Sequence, residues 1–172
     1  MKGEKAGDGI QAGQALQALA ETLLSDPDPA RREEAAFGLA GTREPSAIAA
    51  LSRALRDPVK GVRAAAAGAL GGIGPPAIGE LLGALSDENW VVRYRAAEAL
   101  GSIRDGRSVS ALIGALADRR DHVRYMAAKG LGNLGDRKAA GPLAVTVSDE
   151  NPFVRRAAER ALASLGEGTA RG

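Results

Sequence analysis

Apolar residues along this chain recur three, four and seven positions apart in short stripes, and each stripe ends in a break rich in Gly, Pro, Asp or Asn. In residues 107–135 a first stripe holds Val109, Leu112, Ile113 and Leu116, and a second holds Val123, Ala127, Leu131 and Leu134. That spacing places each set on one side of a helix. The breaks also carry helix-start signals: Asp28, Asn89 and Asn151 stand where an N-cap belongs, and Pro29 and Pro152 occupy the first helical position after it. The pattern predicts helices over 10–24, 28–41, 45–56, 59–73, 76–86, 89–103, 107–117, 120–134, 138–148 and 151–165.

The stripes are copies of one unit. Residues 87–101 read DENWVVRYRAAEALG and residues 149–163 read DENPFVRRAAERALA. Arg32, Arg63, Arg93, Arg124 and Arg155 mark the register, at steps of 31, 30, 31 and 31 residues. An Asp stands six positions before each (Asp26, Asp57, Asp87, Asp118, Asp149) and a Leu seven after (Leu39, Leu70, Leu100, Leu131, Leu162). A residue written into every unit is expected to serve the unit. The Asp and Arg can hydrogen-bond the turn between helices and the neighbouring repeat's turn, where stacking buries backbone groups. Gly71, Gly101 and Gly132 also recur at one place, at a cost of about 1 kcal/mol of helix propensity each, so backbones are expected to approach closely there.

The frame V-R-x-x-A-A-x-x-L-G, followed by Ile or Leu, Gly and Asp, resembles HEAT repeats, and in particular the short PBS-lyase HEAT-like type. It is carried by VRYRAAEALGSI at 92–103 and VRYMAAKGLGNLGD at 123–136, then by VRAAAAGALGGIG at 62–74 and RREEAAFGLAG at 31–41. The resemblance implies an all-α fold, a right-handed α-solenoid (superhelix) of five two-helix repeats at about 10–41, 45–73, 76–103, 107–134 and 138–165. It places the second helix of each pair on the concave side. A two-helix unit cannot bury its own stripe, so neighbours must stack. Residues 1–9 and 167–172 are expected to be flexible ends around a single repeat domain at 10–166.

Composition agrees with stacked helices. Hydrophobic residues make up 45% of the chain but aromatics only 3%, leaving a core of Ala, Leu and Gly rather than of sheet-forming residues. There is no Cys, which excludes disulfides, thiolate catalysis and thiolate metal sites. No run approaches the roughly 18 apolar residues of a membrane span, and the N-terminus lacks an apolar signal region, so a cytoplasmic protein without a membrane partner is expected. A net charge of +2 is too small to predict a polyanionic partner.

Function should reside where the repeats differ. In the second helices the frame leaves a face occupied by Glu33, Glu34 and Phe37, then Lys60, Ala64 and Gly68. It continues with Trp90, Tyr94, Arg95 and Glu98, then His122, Tyr125, Met126 and Lys129, and ends with Phe153, Arg156 and Arg160. Every aromatic residue and the single His fall on it. Trp, Tyr, Met and Arg are enriched at interface centres because they bury large areas with few rotors to freeze. Trp90, Tyr94, Tyr125 and Met126 are therefore expected to form one anchoring patch, with Arg95, Glu98, Lys129, Arg156 and Arg160 setting register. Trp90 and Phe153 could instead plug gaps beside the turns. The face drifts from acidic at Glu33 and Glu34 to basic at Lys129, Arg156 and Arg160.

Catalytic readings find little support. Deoxyhypusine hydroxylases, a HEAT-repeat enzyme class, bind iron through paired His-Glu dipeptides, whereas His122 lies between Asp121 and Val123. A lone His cannot supply a multi-His metal site, and no Ser stands in a nucleophile elbow. GALGGIGPPA at 68–77 follows a helix and lacks Gly-Lys-Ser/Thr, so its glycines are turns rather than a phosphate loop. The expectation is a non-catalytic scaffold, monomeric or weakly dimeric, without cofactor or metal, that binds a protein or peptide on its concave face. The alternatives are an accessory subunit of a bilin-lyase-like system and a DNA-binding HEAT-like protein. Glu33, Glu34, Glu98 and Asp121 among the bases count against a nucleic-acid groove.

Overall fold

The computed structural model describes residues 4–167, and these form helices joined by turns, without strands among them. The helices are α1 (Glu4–Ser25), α2 (Pro29–Gly38), α3 (Pro45–Ala54), α4 (Lys60–Ile73), α5 (Ile78–Ala84), α6 (Trp90–Ile103), α7 (Val109–Ala115), α8 (Asp121–Leu134), α9 (Ala140–Thr146) and α10 (Pro152–Glu167). All ten sequence-predicted helices are present. Helix α1 starts at Glu4 rather than at 10; Gly7 and Gly9 lower its propensity without stopping it. Of the segments expected to be flexible, 1–3 and 168–172 lie outside the described residues.

The helices group into two compact units, α1–α4 ending at Ile73 and α5–α10 beginning at Gly74. In the first, α1 packs on α2 and α3, and α4 packs on both α2 and α3. In the second, α5, α7 and α9 each pack on the following second helix, and α6, α8 and α10 stack on one another. These three first helices are short because each opens with a 3₁₀ turn, at Pro75–Ala77, Gly106–Ser108 and Arg137–Ala139. Asp105 and Asp136 cap two of those turns, accepting from the amides of Arg107 and Lys138 at 2.9 and 2.8 Å. The sequence-predicted N-caps behave as expected. Asp28, Asn89 and Asn151 accept from the amides of Ala30, Val91 and Phe153 at 2.9, 3.0 and 2.8 Å.

The core is Leu and Ala. Leu39, Leu51, Leu55, Leu70, Leu81, Leu100, Leu112, Leu131 and Leu143 are fully buried, each contributing about 2 kcal/mol by removal from water. Small residues between them let backbones touch. A Cβ placed on Gly101 would lie 2.7 Å from the Cα of Gly130, and one on Gly132 would lie 3.0 Å from the Cα of Ala161. The recurring glycines therefore set the distances of α6 from α8 and of α8 from α10.

The repeated Arg and Asp form rungs between repeats. Arg93 donates through Nε and Nη2 to the two carboxylate oxygens of Asp118, at 2.6 and 2.8 Å, and through Nη1 to the carbonyl of Asp87 at 2.8 Å. Arg124 grips Asp149 at 2.7 and 3.0 Å and the Asp118 carbonyl at 2.9 Å. In the first unit Arg32 grips Asp57 at 2.7 and 3.1 Å and the Asp26 carbonyl at 2.8 Å. Each receiving Asp also accepts an amide of its own turn, from Val59, Arg120 and Asn151, at 2.8 Å in every case. One side-chain pair thus satisfies a part-buried carbonyl, a turn amide and a guanidinium together.

These contacts move the carboxyls. Burial pushes Asp57 and Asp118 upward, but hydrogen bonds from Arg32 and Arg93 and from turn amides outweigh it, and both lie below the usual carboxylate range. For Asp149 the Arg124 guanidinium is the largest influence, and the direction is again downward. A depressed carboxyl stabilises the fold above its unfolded pKa of about 3.9, and that stability is lost as pH falls through the lower folded value. The urea midpoint is therefore expected to drop as pH falls below about 4, the unfolded carboxylate range. Asp118→Asn should be weaker by about 2–3 kcal/mol at pH 7 and lose less over the acid range. A variant whose profile runs parallel to wild type would refute the rung.

Gly101→Ala tests the helix contact. It is expected to cost about 1–3 kcal/mol in urea unfolding, because backbone rather than a flexible side chain must yield. In α7 (Val109–Ala115), a Cβ placed on Gly114 would meet nothing within 4 Å, so Gly114→Ala should be neutral or stabilising, by up to about 1 kcal/mol.

Candidate protein-binding face on the second helices

In the second unit the residues left free by the repeat lie on α6, α8 and α10, and the structure sorts them; in the first, Glu33, Glu34 and the exposed Phe37 lie on α2, and Lys60, Ala64 and Gly68 on α4. Trp90 is half-buried at the start of α6. Its ring sits 5.1 Å from that of His122, tilted by 49°, and the Arg120 guanidinium lies 5.2 Å above it. Trp90 is thus packed by the next repeat's turn, which fits the plug alternative more closely than a bare anchor. Tyr94, one helical turn on, is half-buried; burial and then the nearby Glu98 carboxylate push its phenol up. Arg95 covers the Tyr94 ring at 5.3 Å and pairs with Glu98 at 2.6 Å. Its side chain is only 12% exposed, so Arg95 and Glu98 neutralise each other rather than standing free.

Met126 is a correction. It is 4% exposed and belongs to the core, so it takes no part in a surface patch. The position two after the repeat Arg faces the neighbouring helices, as Ala65 at 4% and Ala157 at 7% show in sister repeats. Those small residues are the signal that this position is a packing one. Met fills the space there because its unbranched thioether adapts to irregular gaps.

Tyr125, Lys129, Phe153, Arg156 and Arg160 come together. They line a hollow of about 490 Å³ between α8 and α10, with Gly132, Asn133, Ala157, Ala161 and Ser164 completing its floor and rim. Phe153 is 67% exposed at its mouth, while Lys129, Arg156 and Arg160 are exposed along its sides. A second hollow of about 350 Å³ lies on the other side of Tyr125 and Phe153, and Asp121, His122, Asn151 and Val154 complete it. His122 is exposed, and its Nδ1 lies 2.7 Å from the Asp121 carboxylate. The His122 hydrogen bond is the largest of the influences that lower the Asp121 carboxyl. The Asn151 side-chain amide donates to the other Asp121 oxygen, tying the two turns together.

Sequence reasoning missed the floor. Gly132, Ala157 and Ala161 carry no binding chemistry of their own, but their small size makes the groove between Tyr125 and Arg160. The repeat frame concealed them, because Gly and Ala at those places read as packing residues. Among the described residues no group of three or more His, Asp or Glu side chains is placed to hold a metal, and no helix is long and apolar enough to cross a membrane.

The position of the side chains predicts which substitutions unfold the protein. Met126→Ala is expected to cost about 2–5 kcal/mol, as a buried side chain leaves a cavity. Phe153→Ala should stay within about 0.5 kcal/mol of wild type. Equal urea midpoints for the two variants would contradict the assignment of one to the core and the other to the surface.

Known proteins share the repeat. Among solved structures, the chain is similar to the CpcE–CpcF complex of phycocyanin lyase from Nostoc sp. PCC7120, at 26% identity and a TM-score of 0.66, covering 90% of this chain and 66% of that one. It therefore spans slightly less than two thirds of that structure's chain. A designed armadillo repeat protein in complex with the peptide (KR)4 is 21% identical, with a TM-score of 0.58 over 94% of this chain and 86% of the other. Human deoxyhypusine hydroxylase, at 19% identity and a TM-score of 0.55 over 90% of this chain and 75% of its own, shares the fold. No curated protein matches the sequence. A family profile described as HEAT repeats matches residues 16–82, 60–124 and 115–171. The three matches reach from α1 to the C-terminal end, and with all ten helices in place the chain belongs to the HEAT repeats, as an all-α solenoid of the HEAT and armadillo kind.

Proposed function

We propose that the protein is a non-catalytic cytoplasmic scaffold that captures a protein or peptide on the face of its second helices. The carrying observation is the groove between α8 and α10, where Phe153 stands 67% exposed beside half-buried Tyr125 in a chain with 3% aromatics. Large aromatics at the mouth of a small-residue groove resemble the anchor pockets of interfaces. Tyr94 extends the same face toward α6, and Trp90 with His122 forms its preorganised edge. The solved armadillo neighbour in complex with a peptide supports peptide capture as a use of this architecture.

A second reading, a subunit of a phycocyanin-lyase-like complex, rests on the likeness to the CpcE–CpcF complex. It predicts stable pairing with a second repeat protein rather than with a short peptide.

Peptides selected from a displayed random library against the full chain should lose at least about tenfold in affinity when Tyr125→Ala and Phe153→Ala are combined, with helical circular dichroism retained. Selected peptides that bind the double variant unchanged would remove the proposal. Duplex DNA bound at micromolar affinity with a steep salt slope would favour a nucleic-acid partner instead.

A further inference from the structure

Resting on the peptide-binding reading above, we infer that the groove between α8 and α10 selects an acidic peptide in which one apolar side chain is followed closely by carboxylates. The charge along the groove carries the inference. Of its ten lining residues, Lys129, Arg156 and Arg160 are cationic and none is Asp or Glu. Other arginines of the second unit are committed: Arg93 and Arg124 hold the rungs, and Arg95 is closed on Glu98. Among the described residues no carboxylate pairs with Lys129, Arg156 or Arg160. The three exposed cations therefore face one hollow without a partner of opposite charge.

The order of chemistry along the groove sets the order in the ligand. Tyr125 and Lys129 are one helical turn apart on α8, while Phe153, Arg156 and Arg160 lie on one stripe of α10. The aromatic pair thus occupies one end and the cations the remainder. From Phe153 to Arg160 the helix advances roughly 10 Å, about three residues of an extended peptide. Gly132, Ala157 and Ala161 keep the floor low enough for a backbone to lie between the walls. An apolar side chain seated between Tyr125 and Phe153 brings the next two or three positions past Lys129, Arg156 and Arg160.

The same observations favour a peptide over a nucleic acid. Duplex DNA carries one phosphate per roughly 1.7 Å of axis and demands a long stripe of one sign. Here the cations end within about two helical turns. The adjoining hollow beyond Tyr125 and Phe153 presents Asp121. The sign also opposes that of a cationic ligand such as the peptide in complex with the designed armadillo neighbour.

The test uses the full chain and fluorescein-labelled octapeptides followed by anisotropy at about 50 mM salt. One peptide carries a Phe followed by three Glu, its analogue has Gln for Glu, and a third is (Lys-Arg)4; an oligouridylate of similar length is the nucleic-acid arm. The acidic peptide is expected to bind at least about tenfold tighter than the Gln analogue and to lose that margin in Arg156→Gln with Arg160→Gln. These exposed substitutions should leave the urea midpoint unchanged. Equal binding of acidic and Gln peptides, or tighter binding of (Lys-Arg)4 or oligouridylate, overturns the inference. If the acidic preference is absent while library peptides still depend on Tyr125 and Phe153, only the charge assignment fails and the peptide-binding reading stands.

Discussion

The guanidinium–carboxylate rung is the interaction on which the rest of this structure depends. Stacking two-helix units sets the turn of one repeat beside the turn of the next, and each such turn contains carbonyls and amides that helix geometry cannot satisfy. Arg93 and Asp118 solve both sides at once, since the fork reaches the Asp87 carbonyl behind it and the Asp118 carboxylate ahead, while that carboxylate also accepts the Arg120 amide. A buried ion pair is often a poor source of net stability because desolvation offsets attraction. Here the pair is justified by what it prevents: without it, a carbonyl and a turn amide lose their partners at the same place. Repetition of the pair at Arg124 and Asp149, and at Arg32 and Asp57, makes the spacing of the turns a property of the frame.

Fixed turns leave the helix faces to be set by side-chain size. Gly101 against Gly130, and Gly132 against Ala161, draw the second helices together at one level. Elsewhere buried Ala residues make up the contacts, and Met126 is buried with them. Close approach at the floor and larger residues at the rim create a groove as a consequence of packing. The groove is therefore a by-product of the same small residues that stabilise the stack, with only a few rim positions free to vary.

Much of this is legible in the sequence, for a physical reason. Asp28, Asn89 and Asn151 cap their helices because Asx side chains compete for turn amides, and the repeating Arg and Asp have to act between repeats because every unit has them. The exposed aromatic Phe153 is legible too, since the frame does not require it. What escapes is set by neighbours distant in sequence. Met126 reads as free because helical periodicity alone cannot tell which side of a helix meets the next repeat. Arg104 adopts a left-handed conformation at φ 56° where Gly74 and Gly135 stand in sister repeats, a strain no local pattern announces. The 3₁₀ turns before α5, α7 and α9 shorten those helices although the hydrophobic stripes run through them.

The division between frame and rim also lets the rim chemistry differ between repeats without changing the fold. Replacing Arg93 removes its hydrogen bonds to two turns, at Asp87 and Glu88 and at Asp118, so substitution there costs stability. At the site of Trp90, the last repeat has Pro152; at that of Tyr94 it has Arg156; and at that of Glu98 it has Arg160, each beside an unchanged Val, Arg and Ala. These exchanges turn a rim closed by Arg95 and Glu98 into one whose cations pair with no carboxylate among the described residues, while Arg155 beside them donates to the Asp149 and Glu150 carbonyls at 2.8 and 3.0 Å, as Arg93 does to those of Asp87 and Glu88. Electrostatic character can therefore shift from one repeat to the next, because the charges that hold the repeats together and the charges exposed along the rim sit at separate positions of the same helix.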